Sequence, residues 1–209
     1  MNTNATPTEE EEVAYHEAGH AIVARVLGRR VPVATIVVDE ERGSAGHVHH
    51  EWAQDLNELE CEGGNDEEEN ADVERKRQVI FEHEAMVALA GRAAQRRFLG
   101  ERANEDVLHE TATSDRRFVL DMLDRLAGRD DDELRNAWWK LLELRTERLL
   151  TKHWPAVEYM ASCLLERKTL TGEEIDECRA DALLPTEHRG KKLSWEEWLE
   201  IRVKSQKQK

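Results

Sequence analysis

The chain has 209 residues, of which 36% are charged and 39% hydrophobic, with a formal net charge of −15. That length suits one domain with a real core, or one domain plus a small extension. A charge this negative argues against nucleic acid or an anionic membrane as the main partner. No stretch approaches the roughly 20 apolar residues that span a bilayer, and residues 1–10 lack a basic and then apolar leader. Cys61, Cys163 and Cys178 are few, odd in number and widely spaced, as for reduced thiols in a cytosol. These features together predict a cytoplasmic protein with no membrane and no nucleic-acid partner.

Residues 1–10 read as a frayed acidic tail. A first helix is predicted from about Glu11 to Leu27, stopping before Gly28, and it carries His16-Glu17-Ala18-Gly19-His20, an H-E-x-x-H motif. Residues four apart share a helix face about one turn from each other. His16 and His20 can therefore both point at one metal ion, with Glu17 beside them to hold a water. From Ala18 to Leu27 the segment is nearly all apolar, so the helix is expected to be buried. Buried polar groups need partners, and a zinc ion would partner this pair of imidazoles.

Val31 to Val38 is β-branched and short, a strand by composition, and Pro32 suits its start or an edge. Gly43 and Gly46 punctuate a turn, and His47 to His50 reads as a return strand. Alternation puts His47 and His49 on one face, as half-exposed strand residues rather than a second metal site. The acidic stretch from Gln54 to Asn70 is expected to be a surface loop.

From Val73 the pattern turns helical. Ile80, Val87, Ala94 and Phe98 lie along one stripe that ends at Gly100, and Phe118, Met122, Leu123 and Leu126 mark another helix closed by Gly128. Asp130-Asp131-Asp132 offers an N-cap and first-turn acids to a helix carrying Leu134, Trp138, Leu141 and Leu149. Trp154-Pro155 is expected to restart the chain, with Pro at a favoured first helical position. Thr171 to Ile175 reads as a capped short helix, and Ser194-Trp195-Glu196-Glu197 as a capping box for a last one. The tryptophans are taken as helix-packing anchors. The fold expected is mainly α (α+β), with a small sheet beside the motif helix. Its organisation is a tail at 1–10, a domain at 11–180 and a C-terminal extension at 181–209 with a short helix.

A catalytic zinc needs a third protein ligand while its fourth position stays open to water. A metzincin continuation would require a histidine where this chain has Val26. Glu82, Glu84, Asp106, Glu110 and Asp115 are chemically able, and spacing does not choose among them.

Four blocks resemble the peptidase domain of the FtsH family of ATP-dependent zinc proteases, in the same order: the motif segment; Thr35-Ile36-Val37-Val38 followed by Gly46-His47; Leu89 to Gln95 with Phe98 to Glu101; and Thr111-Ala112-Thr113-Ser114-Asp115. Leu165 to Ile175 is similar to that family's final helical hairpin. The resemblance implies an FtsH-like peptidase fold, Zn²⁺ as cofactor and Asp115 as the third ligand beside His16 and His20. It also implies an ATPase module and a membrane anchor, and no G-x-x-x-x-G-K-[ST] phosphate loop occurs in this sequence. The aspartate loop lacks the family's glycine, Arg116-Arg117-Phe118 does not match well, and the stretch from Gln54 looks like an insertion. Asp115 can equally be read as an N-cap for the helix of Phe118.

The expectation is a zinc metalloendopeptidase acting on unfolded or flexible polypeptides, with Glu17 as general base. The strand at Thr35, Ile36, Val37 and Val38 is expected to bind an extended substrate through its main chain. A separate ATPase or a homo-oligomer is left open as partner. The competing class is a zinc-stabilised regulatory or binding protein without turnover, for which an intact Glu17 has no use.

Overall fold

The structure, a computed structural model, describes residues 6–38, 46–51, 67–103 and 113–207. Helix α1 runs Glu9–Val26. Its start is fixed by a capping box: Glu11 N donates to Thr8 Oγ1 at 3.2 Å, and Thr8 N donates to Glu11 Oε2 at 2.8 Å. Glu9 to Glu12 fill the first turn, where negative charge suits the helix dipole. The helix therefore begins inside the segment expected to be a tail.

Strands β1 (Arg30–Thr35), β2 (His47–Glu51) and β3 (Thr169–Thr171) form an antiparallel sheet in the order β2-β1-β3. The register shifts between Arg30 and Val33, around Pro32, which has no N–H for the ladder. Ala34 pairs with Val48 on one side and Leu170 on the other. β1 is thus the central strand, and it ends at Thr35, three residues short of the expectation.

Helix α2 runs Glu67–Leu99. Glu67 to Asn70, expected to be loop, are helical. The rest of that stretch, 54–66, lies outside the described residues. Helix α3 is Thr113–Ala127 and α4 is Asp132–Arg167. Asp131 caps α4, its Oδ1 accepting from Leu134 N at 2.8 Å. The expected break at Trp154-Pro155 does not occur, and Pro155 lies inside α4. Leu150 before it and Ala156, Val157 and Met160 after it are all buried in one cluster, so packing on both sides outweighs the missing backbone bond. Helix α5 (Gly172–Asp181) and helix α6 (Trp195–Lys207) follow. Among the described residues no helix is long and apolar enough to cross a membrane.

The core forms where α1 is held between α2 and α4. Ala14, Ala18 and Ile22 of α1 meet Val87, Ala90 and Ala94 of α2 and Val157, Met160 and Leu164 of α4. Small residues let the first pair approach closely: a Cβ on Gly19 would stand 2.6 Å from both Ala90 O and Ala94 Cβ. A second cluster, with Met86, Val119, Met122, Leu123 and Leu142, fixes α3 against α2 and α4. The tryptophans divide. Trp154 stacks on Tyr15 at 5.8 Å beneath the Arg97 guanidinium, whereas Trp195 is 66% exposed and stacks only on Trp198.

Candidate metal centre

The tight α1–α2 contact brings one face of the motif helix against a row of α2 residues spaced four apart: Val87, Gly91 and Gln95. His20 Nδ1 donates to Val87 O at 2.7 Å. A carbonyl can only accept, so that nitrogen carries a proton and Nε2 is the atom turned toward the site. His16 Nδ1 is 3.4 Å from Gln95 Oε1, and Gln95 Nε2 donates to Glu12 Oε2 at 2.9 Å, which turns the amide oxygen toward His16. Both imidazoles are thereby aimed from behind, with Nε2 forward. Gly91 lies in front of them. A Cβ there would stand 2.6 Å from His16 Nε2 and closer still to His20 Nε2, so no other residue leaves this space open.

Asp115, in the first turn of α3, completes the group. Its Oδ2 lies 3.1 Å from His16 Nε2 and 3.2 Å from His20 Nε2, which are 2.9 Å from each other. His16, His20 and Asp115 thus place three ligand atoms within 4.8 Å of one another. With α3 beginning at Thr113, Asp115 stands inside the helix rather than at its N-cap. Burial disfavours a charged His20, but the adjacent Asp115 carboxylate outweighs it and lifts the imidazole pKa to about 9. Burial also works against the Asp115 carboxylate, yet His20 and His16 hold it well below the usual range. Three electron-pair donors converging on one point require positive charge between them, and two imidazoles with one carboxylate suit Zn²⁺.

Glu17 is 5% exposed, and its Oε2 is buried with no hydrogen-bond partner among the described residues. Burial raises its pKa, opposed by His20 and His16 and reinforced by Asp115. An orphaned buried carboxylate oxygen beside a cation site is suited to receive a water's proton.

The other acids are employed elsewhere or lie out of view. Glu84 is fully buried with its Oε1 3.4 Å from Arg29 Nε, and Glu82 pairs with Arg145. Asp106 and Glu110 lie outside the described residues. His47 pairs with Thr35 across the sheet, and its Nδ1 is buried without a hydrogen-bond partner, while His49 is exposed. Neither joins a metal group among the described residues.

Thr35 to Val38, expected to bind an extended substrate, lie at and beyond the end of β1. Thr35 is paired on both sides, with His47 and Thr169. Ile36 N donates to Lys168 O at 2.9 Å, and Val37 N donates to Thr35 Oγ1 at 3.1 Å. Val37 and Val38 lie beyond β1 and are exposed.

A mainly helical fold with a small antiparallel sheet and a His-His-Asp cluster on the motif helix is the class of structure these observations define. No protein-family model matches the chain. It is 28% identical over 198 residues to the ATP-dependent zinc metalloprotease FtsH of Acidimicrobium ferrooxidans, across 80% of this chain and 27% of that protein. It is also 28% identical over 210 residues to the ATP-dependent zinc metalloprotease FtsH 1 of Sorangium cellulosum, across 84% of this chain and 30% of that one. The chain spans less than a third of the length of these curated relatives, and the likeness supports an FtsH-related region.

Proposed function

We propose that this chain is a zinc-dependent endopeptidase region that hydrolyses peptide bonds in unfolded or flexible polypeptides. The observation that carries this reading is the convergence of His16 Nε2, His20 Nε2 and Asp115 Oδ2 beside the buried, unpartnered Glu17 Oε2. The distant likeness to two zinc metalloproteases supports it.

His16, His20 and Asp115 would hold the zinc, which when bound supplies a Lewis acid for the scissile carbonyl and lowers the pKa of water toward neutrality. The chain's own residues do the rest. Val87 O and Gln95 Oε1 keep both imidazoles in the tautomer that leaves Nε2 free. Glu17 takes the proton of the attacking water at Oε2 and passes it to the leaving amine. Its raised pKa makes it a stronger acceptor for the water's proton than an ordinary glutamate.

Substrate binding moves to β2, the edge strand of the sheet on the side of Glu17. A Cβ on Gly46, next to β2, would stand 3.0 Å from Glu17 Oε1, so the strand begins directly over the base. An extended peptide pairing with β2, an edge strand among the described residues, would cross the site with little regard to its side chains. A separate ATPase would supply the unfolding that a structured target needs, and copies of this chain could assemble with one another. Cleavage of unfolded casein tests the reading: the purified chain cleaves it, loses activity to a zinc chelator and regains it on adding zinc. A chain that binds zinc and leaves casein intact would belong to the regulatory class instead.

A further inference from the structure

Cys163 on α4 and Cys178 on α5 are both free and buried, 4% and 3% exposed. Their sulfurs stand 3.1 Å apart, with Cys178 Sγ donating to Cys163 Sγ. The turn at Lys168 and strand β3 lie between them in the chain, so the thiols face each other across one hairpin. A disulfide bond is about 2.05 Å long, so bonding requires the sulfurs to close by only about 1 Å.

We propose that Cys163 and Cys178 form a dithiol site oxidised by hydrogen peroxide, independent of the metal centre. The Cys163 thiolate attacks one peroxide oxygen and breaks the O–O bond; with one proton taken up, Cys163 becomes a sulfenic acid and water leaves. The Cys178 thiol then attacks the Cys163 sulfur, displacing hydroxide that leaves as a second water with the Cys178 proton. The sum is two thiols and one peroxide giving one disulfide and two waters, with two electrons passing from sulfur to oxygen.

The surroundings assign the two roles. The S–H of Cys178 hydrogen-bonds to Cys163, and the Arg167 guanidinium adds positive charge from one turn further along α4. The Cys178 hydrogen bond is the largest of the effects holding the Cys163 thiol below its ordinary range, and the same bond pushes Cys178 above it. Cys163 is therefore the attacking sulfur and Cys178 the resolving one. Burial on this scale favours a small oxidant over a bulky disulfide such as oxidised glutathione. The bond would brace the hairpin whose Lys168 carbonyl accepts from Ile36 N and Thr35 Oγ1 of the sheet.

The test is peroxide treatment of the purified chain, followed by thiol titration and peptide mapping without reductant. The expected result is loss of two of the three thiols, a cross-link joining the Cys163 and Cys178 peptides, and its reversal by dithiothreitol. Cys178→Ser should accumulate a sulfenic acid at Cys163 that a dimedone probe labels, and Cys61→Ser should behave as the parent. Circular dichroism checks that each variant folds, and mapping of the parent chain decides the matter even if one does not. The proposal is overturned if both thiols survive peroxide that consumes free glutathione. It is equally overturned if oxidation joins chains through Cys61, or if Cys163→Ser is labelled at Cys178 as fast as Cys178→Ser is at Cys163.

Discussion

At the scale of single residues, the site depends on three kinds of side chain with separable jobs. Asp115 brings charge to the two imidazoles, and a neutral amide of the same shape cannot. Asp115→Asn should retain α3, whose first turn does not rely on that carboxylate as an N-cap, yet weaken zinc binding by well over tenfold, past what changes behind the ligands usually cost. Titration with a chromophoric zinc competitor measures it, with Glu82→Gln, whose carboxylate faces Arg145, as the control that leaves affinity unchanged. Gly91 has the opposite character, acting through what it lacks. Helix propensity alone would make Gly91→Ala stabilising by roughly 1 kcal/mol. The collision with both Nε2 atoms predicts instead that this variant loses zinc binding in the same titration, and normal uptake would show that the cradle is looser than the geometry requires.

At the scale of elements, the sequence was most legible where local signals agree. The motif helix was read from its apolar run and the spacing of its histidines, while the Thr8 capping box and the first-turn acids Glu9 and Glu10 were taken for a tail. The pairing of Val87, Gly91 and Gln95 with it was not read, although their spacing of four already placed them on one stripe. A stripe's partner is a tertiary fact, and alanine and glycine look like helix filler until the opposing helix is in place. Pro155 shows the reverse error, in which a strong local signal yields to burial on both sides of it. Strand β3 was missed because Thr-Leu-Thr is too short to pattern by itself and exists only through its pairing with β1. Thr171 ends that strand and also caps α5, accepting from Glu174 N at 3.4 Å while Glu174 Oε2 accepts from Thr171 N at 2.8 Å. Thr171→Ala should cost about 1 kcal/mol, seen as a lower urea midpoint at unchanged m-value, with zinc affinity untouched.

At the scale of the whole molecule, the ligands tie together parts of the chain that are far apart in sequence: Asp115 is 99 residues from His16. Helix α2 brings them into reach by packing on α1 through the first core cluster and on α3 through the second, which is why spacing could not choose among the acids beforehand. Asp115 was reached through resemblance, and the structure brings its carboxylate to the histidines. A ligand that binds only the folded arrangement stabilises it by mass action. Zinc at about a hundredfold excess over its Kd should add about 2.7 kcal/mol, or roughly 5–10 °C in Tm. Calorimetry with and without zinc checks this, and Asp115→Asn should show little of the shift at the same zinc concentration.

The peptidase reading rests finally on Glu17, which that reading makes the proton acceptor and not a metal ligand. The direct measurement is Glu17→Gln, with zinc content and casein cleavage determined on the same sample. Zinc should remain at about one per chain, since both imidazoles and Asp115 are intact, while cleavage should fall by roughly 10²–10⁴-fold. A Glu17→Gln chain that keeps its zinc and cleaves as fast as the parent would contradict the account.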